Sequence, residues 1–172
     1  MGQFQRTSSN PNPDNNNIYG NHIMNMYDYG IYTQEGNNNN IYNNGIIKCK
    51  NGIYITENSN KNNISYNHLI NIKKRGIYLE DSDKNNIHHN IIKEIKEGII
   101  LYKSNQNKIH HNNIISCKTE AYFVKSVLNL WYKNYWGRAR IFSKVIFGSQ
   151  GLIGLIPWYN FDILPAVEPY DI

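Results

Sequence analysis

Three groups of side chains have types and spacing suited to chemistry. In the first, Tyr32, Tyr54 and Tyr78 recur at intervals of 22 and 24 residues, and Glu35, Glu57 and Asp81 follow them three positions later. Flat aromatic rings stack on sugar rings and carboxylates accept hydroxyl protons, so these six residues form a candidate carbohydrate-binding strip. Stacked Tyr columns also stabilise sheets without any ligand, and that reading stays open. Glu57 and Asp81, one repeat apart, further suit acid and base work on a glycosidic bond, which needs carboxyl groups about 5 to 9 Å apart. Because any repeat supplies regular spacing, no catalytic residue is assigned.

The second group is His88-His89 and His110-His111, which share two neighbouring columns of the repeat. Imidazoles stacked about 5 Å apart are donors for a divalent metal or copper. Tyr19, Tyr42 and Ser65 fill the first of those columns in earlier repeats, so a surface ladder accounts for the same residues, and no metal site is assigned. The third group, Cys49 and Cys117, lies in one column three repeats apart, about 14 Å at the strand spacing. That is too far for a disulfide, and both read as small core residues. The sequence holds no Ser/His/Asp elbow, no phosphate-binding Gly loop and no Cys-based zinc spacing, and no cofactor is expected.

The elements that position these residues are set by an internal repeat. Asn16 to Ile23 (NNIYGNHI), Asn39 to Ile46 (NNIYNNGI), Asn62 to Leu69 (NNISYNHL), Asn85 to Ile92 (NNIHHNII) and Asn107 to Ile114 (NKIHHNNI) align without gaps as N-x-I-x-x-N-x-I. The first Ile falls at 18, 41, 64, 87 and 109, giving steps of 23, 23, 23 and 22. Met26, Cys49, Ile72, Ile95 and Cys117 follow eight residues later, an apolar column throughout. A Gly opens the second half of each unit at 30, 52, 76 and 98, with Ala121 aligned in the fifth. An inward Ile comes next, with Tyr122 in the fifth unit, and then an outward column of Tyr32, Tyr54, Tyr78, Ile100 and Phe123. A sixth unit, NLWYKNYW from Asn129 to Trp136, keeps both Asn columns and replaces both Ile columns with Trp.

Short extended segments at a fixed period, separated by Asn- and Gly-rich corners, predict an all-β fold. The expected architecture is a single-stranded right-handed parallel β-helix of about six coils of 22 to 24 residues. In it Ile stacks on Ile and each Asn amide donates to the Asn carbonyl of the next coil. Residues 1–14 read as a flexible polar tail, 15–136 as the coils, and 137–172 as an irregular capping segment over the last open edge. A leucine-rich repeat is the rival solenoid, but the return segment here is G-I-Y-x with β-branched residues rather than a helical stretch. Asn44-Gly45 and Asn51-Gly52 suit hairpins, yet their fixed place in the repeat points to corners.

Composition narrows the partners. Asn makes up about a sixth of the chain, and 18 basic against 13 acidic residues give a formal charge of +5. The basic residues are scattered apart from Lys73-Lys74-Arg75, so a solvated face is expected and no nucleic-acid partner. No run reaches the length of a membrane span, and the start lacks the apolar segment of a secretory signal. A cytoplasmic chain or a piece of a longer precursor is expected on that ground. The polar first residues leave the top edge of the first coil open, where upstream coils or self-association are expected.

The N-x-I-x-x-N-x-I units, the G-I-Y-x returns and the closing NLWYKNYW resemble the NosD-type family of right-handed β-helix proteins, often called periplasmic copper-binding, over about residues 15 to 136. The resemblance implies an extracytoplasmic three-sheet solenoid: periplasmic, secreted or at the cell surface. It implies either a polysaccharide-facing role, as binding module, lyase, hydrolase or epimerase, or assistance in copper delivery to nitrous oxide reductase. No catalytic residue of the family is carried over.

Overall fold

The computed structural model describes residues 14–152 and 154–172, so most of the expected polar tail, residues 1–13, lies outside it. The first coil holds β1 (Asn17–Tyr19), β2 (His22–Met24) and β3 (Tyr29–Gln34), and the second β4 (Asn40–Tyr42), β5 (Gly45–Ile47) and β6 (Asn51–Thr56). The third holds β7 (Asn63–Ser65), β8 (His68–Ile70) and β9 (Arg75–Glu80), and the fourth β10 (Asn86–His88), β11 (Ile91–Lys93) and β12 (Glu97–Tyr102). The fifth holds β13 (Lys108–His110), β14 (Asn113–Ile115) and β15 (Thr119–Val124). The sixth contributes β16 (Leu130–Tyr132), and the tail adds β17 (Lys144–Gln150) and β18 (Ile156–Asp162). No helix occurs among the described residues.

Strands of like position pair in parallel from coil to coil, making three stacks: β1 to β16, β2 to β14 and β3 to β15. In the first stack Ile18, Ile41, Ile64, Ile87, Ile109 and Trp131 are successive register partners. In the second, Ile23, Ile46, Leu69, Ile92 and Ile114 are. From Ile41 onward every member of both columns is fully buried or nearly so. One coil cannot hide its Ile residues, but a stack turns them into a continuous core, with Cys49 and Cys117 as free thiols in its third column. The chain is a parallel β-solenoid of about six turns.

The glycine column has a different cause from the one its composition suggests. Gly30, Gly52, Gly76 and Gly98 lie inside strands, not at left-handed corners. A Cβ at Gly76 would meet the Gly98 carbonyl oxygen at 2.7 Å, and one at Gly52 would collide with that of Gly76. Left-handed corners take Gly20 but are otherwise filled mostly by Asn, Lys, Glu and His, with Asn43, Lys48, Glu57 and His89 all near φ +55°. In the fifth coil Glu120, not Ala121, continues the glycine column, because Ile99 pairs with Ala121, Ile100 with Tyr122 and Leu101 with Phe123. Phe123 therefore points into the core, fully buried, and Tyr122 points out.

Buried amides lock this register. The Asn67 backbone N–H and side-chain amide both donate to Asn90 Oδ1, at 3.0 Å each, and the same amide reaches back to the Ile41 carbonyl at 2.8 Å. The pattern repeats at Asn44, Asn90 and Asn112. The other Asn column runs likewise, from the Asn16 N–H on Asn39 Oδ1 to the Asn107 N–H on Asn129 Oδ1. Two further ladders were not legible as such. Ser82 and Ser104 N–H groups donate to the Ser hydroxyl of the next coil, whereas Asn37, Asn60, Asp83 and Asn105 donate backward to the preceding side chain.

The tail is more regular than its out-of-step sequence suggests. β17 and β18 form an antiparallel hairpin that extends β15 on one side and β16 on the other, joining two stacks into one sheet of 13 strands. Asp162 is fully buried at its end and takes the next Asn position in the ladder. Its Oδ2 accepts from the Asn134 N–H at 3.0 Å, the Asn134 amide at 2.9 Å and Trp136 Nε1 at 3.0 Å.

Two stability measurements follow. Asn67→Ala should cost about 1 to 3 kcal/mol in urea unfolding, because it strands buried partners above and below; a loss of a few tenths would mean a solvated column. Asp162→Ala should cost at least about 3 kcal/mol by leaving three donors unmet, and Asp162→Asn clearly less, since an amide oxygen serves the same donors.

Candidate functional site

The long strands of the third stack present alternate residues outward. Tyr32 pairs in register with Tyr54, Tyr54 with Tyr78, Tyr78 with Ile100 and Ile100 with Tyr122. The Tyr54 and Tyr78 rings stack at 4.4 Å between centroids, those of Tyr32 and Tyr54 lie 6.4 Å apart, and Tyr29 leans over Tyr54 at 4.7 Å. Tyr32 and Tyr54 are half-buried, whereas Tyr78 is only 6% exposed. Its face is covered by Arg75, whose guanidinium carbon lies 4.4 Å from the ring centroid. Tyr78 thus serves as the floor of the strip, with Tyr29, Tyr32 and Tyr54 as its accessible rings.

Arg75 organises the middle of this face. Its Nε donates to Glu97 Oε2 at 3.0 Å, pairing two residues that are register neighbours, and its Nη1 donates to the Tyr54 hydroxyl at 2.7 Å. Burial pushes the Tyr54 and Tyr78 hydroxyls above their ordinary pKa, and Arg75 beside them opposes that shift. Below Arg75 the face opens into a groove of about 360 Å³, lined among others by Tyr78, Glu97, Ile100, Tyr102 and Tyr122. Sequence reading missed Tyr122, although the step of 22 from Ile87 to Ile109, applied to Ile100, points to it. It also missed Tyr29, Arg75 and Glu97, which share an outward column without sharing a residue type.

Glu35, Glu57 and Asp81 stand just past the ends of β3, β6 and β9, each exposed and each at a left-handed corner with φ of 54°, 52° and 46°. Gln34 joins the two columns: the Tyr32 hydroxyl donates to its Oε1 at 3.2 Å, and its Nε2 donates to Glu57 Oε2 at 2.6 Å. Asp81 turns to Lys103 of the next coil, 3.8 Å away. Coil two carries one extra residue here, with Glu57 and Asn58 both left-handed. The corners of Glu57 and Asp81 are adjacent, the Asn58 N–H donating to the Asp81 carbonyl at 2.8 Å, and both carboxylates face open solvent at the rim.

The histidines sit on the first stack and the corner after it. His88 stacks on His110 at 5.1 Å and His89 on His111 at 5.2 Å, and the column continues to Tyr132 at 4.7 Å from His110. His88 Nε2 lies 2.9 Å from Asn63 Oδ1 and His110 Nε2 3.0 Å from Asn86 Oδ1, so in both rings Nε2 carries the proton. Their Nδ1 atoms are then acceptors, held 2.9 Å and 2.8 Å from Nδ1 of His89 and His111, which donate. The inner nitrogens are closed in hydrogen bonds, and no group of three or more His, Cys, Asp or Glu side chains that could hold a metal occurs among the described residues. Desolvation, aided by neighbouring imidazoles, lowers the pKa of His88 and of His110 to about 4, and burial also lowers those of His89 and His111.

A protein-family model described as a right handed beta helix region matches residues 2–118. Searches of curated proteins and of solved structures each found no match.

The histidine geometry makes a pH prediction. With folded pKa values below the ordinary 6.5, His88 and His110 bind fewer protons folded than unfolded, so stability is full above about pH 6.5 and falls as pH drops toward 4. Urea midpoints should decline between pH 7.5 and pH 5, and His88→Gln/His110→Gln should flatten that decline. Equal slopes for both proteins would show that the rings titrate as exposed groups.

Proposed function

Since the chain belongs to the right-handed β-helix family, its role rests on what its columns present outward, and we propose that it is a non-catalytic binding or surface-scaffold module holding an extended glycan along its third stack. One observation carries this reading: a strip of partly exposed Tyr rings, aligned coil above coil, runs beside hydrogen-bonding acceptors and into a groove on the same sheet. A linear polymer meets such a surface with successive residues. Tyr29, Tyr32 and Tyr54 offer ring edges and faces to the apolar sides of sugars, and Gln34, Glu35 and Glu57 at the rim accept from hydroxyls. Asp81 extends that rim, and Tyr78 with Arg75 keeps the floor rigid, so little is lost on ordering. On this reading the protein works outside the cytoplasm, in the periplasm, secreted or on the cell surface, as the family resemblance implies.

A glycan array probed with the wild-type chain and with Tyr32→Ala/Tyr54→Ala tests the reading, with circular dichroism to show both folded. The expected outcome is binding to a defined set of polymeric glycans that weakens about tenfold or more in the variant, the loss of roughly 1.4 kcal/mol of contact. Equal binding by the two proteins, or no glycan bound by either, removes the strip as the binding surface.

A further inference from the structure

The outward column of the third stack breaks its own pattern at the fourth coil. Tyr78 and Tyr122 are both register partners of Ile100, which sets their backbones two strand spacings apart, about 9.6 Å. Stacked rings elsewhere in this column lie 4.4 and 6.4 Å apart, so the rung between Tyr78 and Tyr122 is wide enough for one ring and holds none. Ile100 is too short to fill it. It forms instead the floor of the groove of about 360 Å³, 7% exposed, with Val124 and Tyr122 beside it. That volume lies at the small end of ligand sites, which run from about 300 to 1,000 Å³, and suits one ring rather than a length of chain.

Polar groups converge on one edge of the groove. Arg75 commits Nε to Glu97 Oε2 and Nη1 to the Tyr54 hydroxyl, which leaves its Nη2 and the Glu97 Oε1 without hydrogen bonds among the described residues. The two side chains are 25% and 27% exposed, so a donor and an acceptor stand side by side within reach of a ligand. Thr119, the register partner of Glu97, adds a hydroxyl on the same edge. Among the described residues that line the groove, Arg75 is the one cation and Glu97 the one anion, and they are paired with each other. An anionic ligand therefore meets the Glu97 carboxylate and finds no cation left to pair with, and an ammonium meets the Arg75 guanidinium.

We infer that this groove is the selective subsite of the strip and takes a single uncharged sugar ring, an inference that rests on the glycan reading of the third stack. The sugar sits at the Ile100 rung in place of the missing aromatic, with its apolar side on Ile100 and Tyr122. Of two neighbouring hydroxyls, one accepts from Arg75 Nη2 and the other donates to Glu97 Oε1, which satisfies both groups without adding charge. The two parts of the surface then divide the work. Tyr29, Tyr32 and Tyr54 hold any extended polymer by its apolar sides, whereas the paired donor and acceptor of the groove read the hydroxyls and the charge of one unit.

Calorimetric titration of the full chain tests this with cellohexaose, xylohexaose and mannohexaose as neutral probes, hexagalacturonate as the acidic probe and a chitosan hexamer as the basic one. At least one neutral probe should bind, and both charged probes should bind about tenfold more weakly or worse. Ile100→Tyr fills the groove with the side chain that this column carries in neighbouring coils, and should weaken the neutral probe about tenfold with an unchanged circular dichroism spectrum. Glu97→Ala leaves Ile100 and Tyr122 in place and should weaken it to a similar degree by removing the hydroxyl acceptor. Wild-type affinity in both variants, beside weakened binding by Tyr32→Ala/Tyr54→Ala, would overturn the groove and leave the strip standing. Weakening in both variants but not in Tyr32→Ala/Tyr54→Ala would support the groove and overturn the strip. Tighter binding of hexagalacturonate or of the chitosan hexamer would overturn the uncharged class, and binding of no probe would overturn groove and strip together.

Discussion

The structure depends on one constraint, the vertical alignment of buried amides from coil to coil. An Asn side chain at each turn accepts a backbone N–H from the coil before it, donates to the Asn of the coil after it and reaches back to a backbone carbonyl of the preceding coil. Each bond contributes only about 0.5 to 1.5 kcal/mol net, but leaving one unmet inside the molecule costs more, so a slipped register is penalised at every rung. Side-chain direction in a strand alternates, and a one-residue slip would turn every Ile outward. Ladder and core therefore enforce the same alignment.

Everything on the surface inherits that order. Tyr rings stack on Tyr rings and imidazoles on imidazoles because their backbones are register partners, and the left-handed corners repeat their φ values within a few degrees. The ladder must also end. Asp162 ends the second Asn column with a carboxylate where another amide would stand, and the hairpin that carries it closes the core while turning an aromatic face to the outside.

How much of this was legible varied with the physical origin of each feature. The coils, both Asn columns, the Ile stacks and the sixth, Trp-bearing turn follow from the N-x-I-x-x-N-x-I spacing, because identical residues at a fixed step leave a plain signal. The fifth coil was misaligned by one residue at Ala121 to Phe123, since Glu120 breaks the glycine column and apolar residues fill both candidate registers. The glycines themselves were read as corner formers, whereas close approach of the next coil's carbonyl is what excludes a side chain. Of the candidate strip, Tyr32 and Tyr54 were placed on one sheet, but the covering of Tyr78 by Arg75 depends on a contact across a coil that no single repeat encodes. Asp162 could not be foreseen as a ladder member because it lies 28 residues past Asn134, outside the period.

Backbone amide exchange tests the central claim most directly. Asn39, Asn44, Asn62, Asn67, Asn90 and Asn112 lie outside the strands, yet their N–H groups are buried and bonded to the side chain of the next coil. Native-state hydrogen exchange followed by NMR should show these six amides exchanging as slowly as those of Ile64 and Ile87, through global unfolding alone. Exchange at the rate of an exposed loop would contradict the amide ladder as the interaction that holds the coils in register.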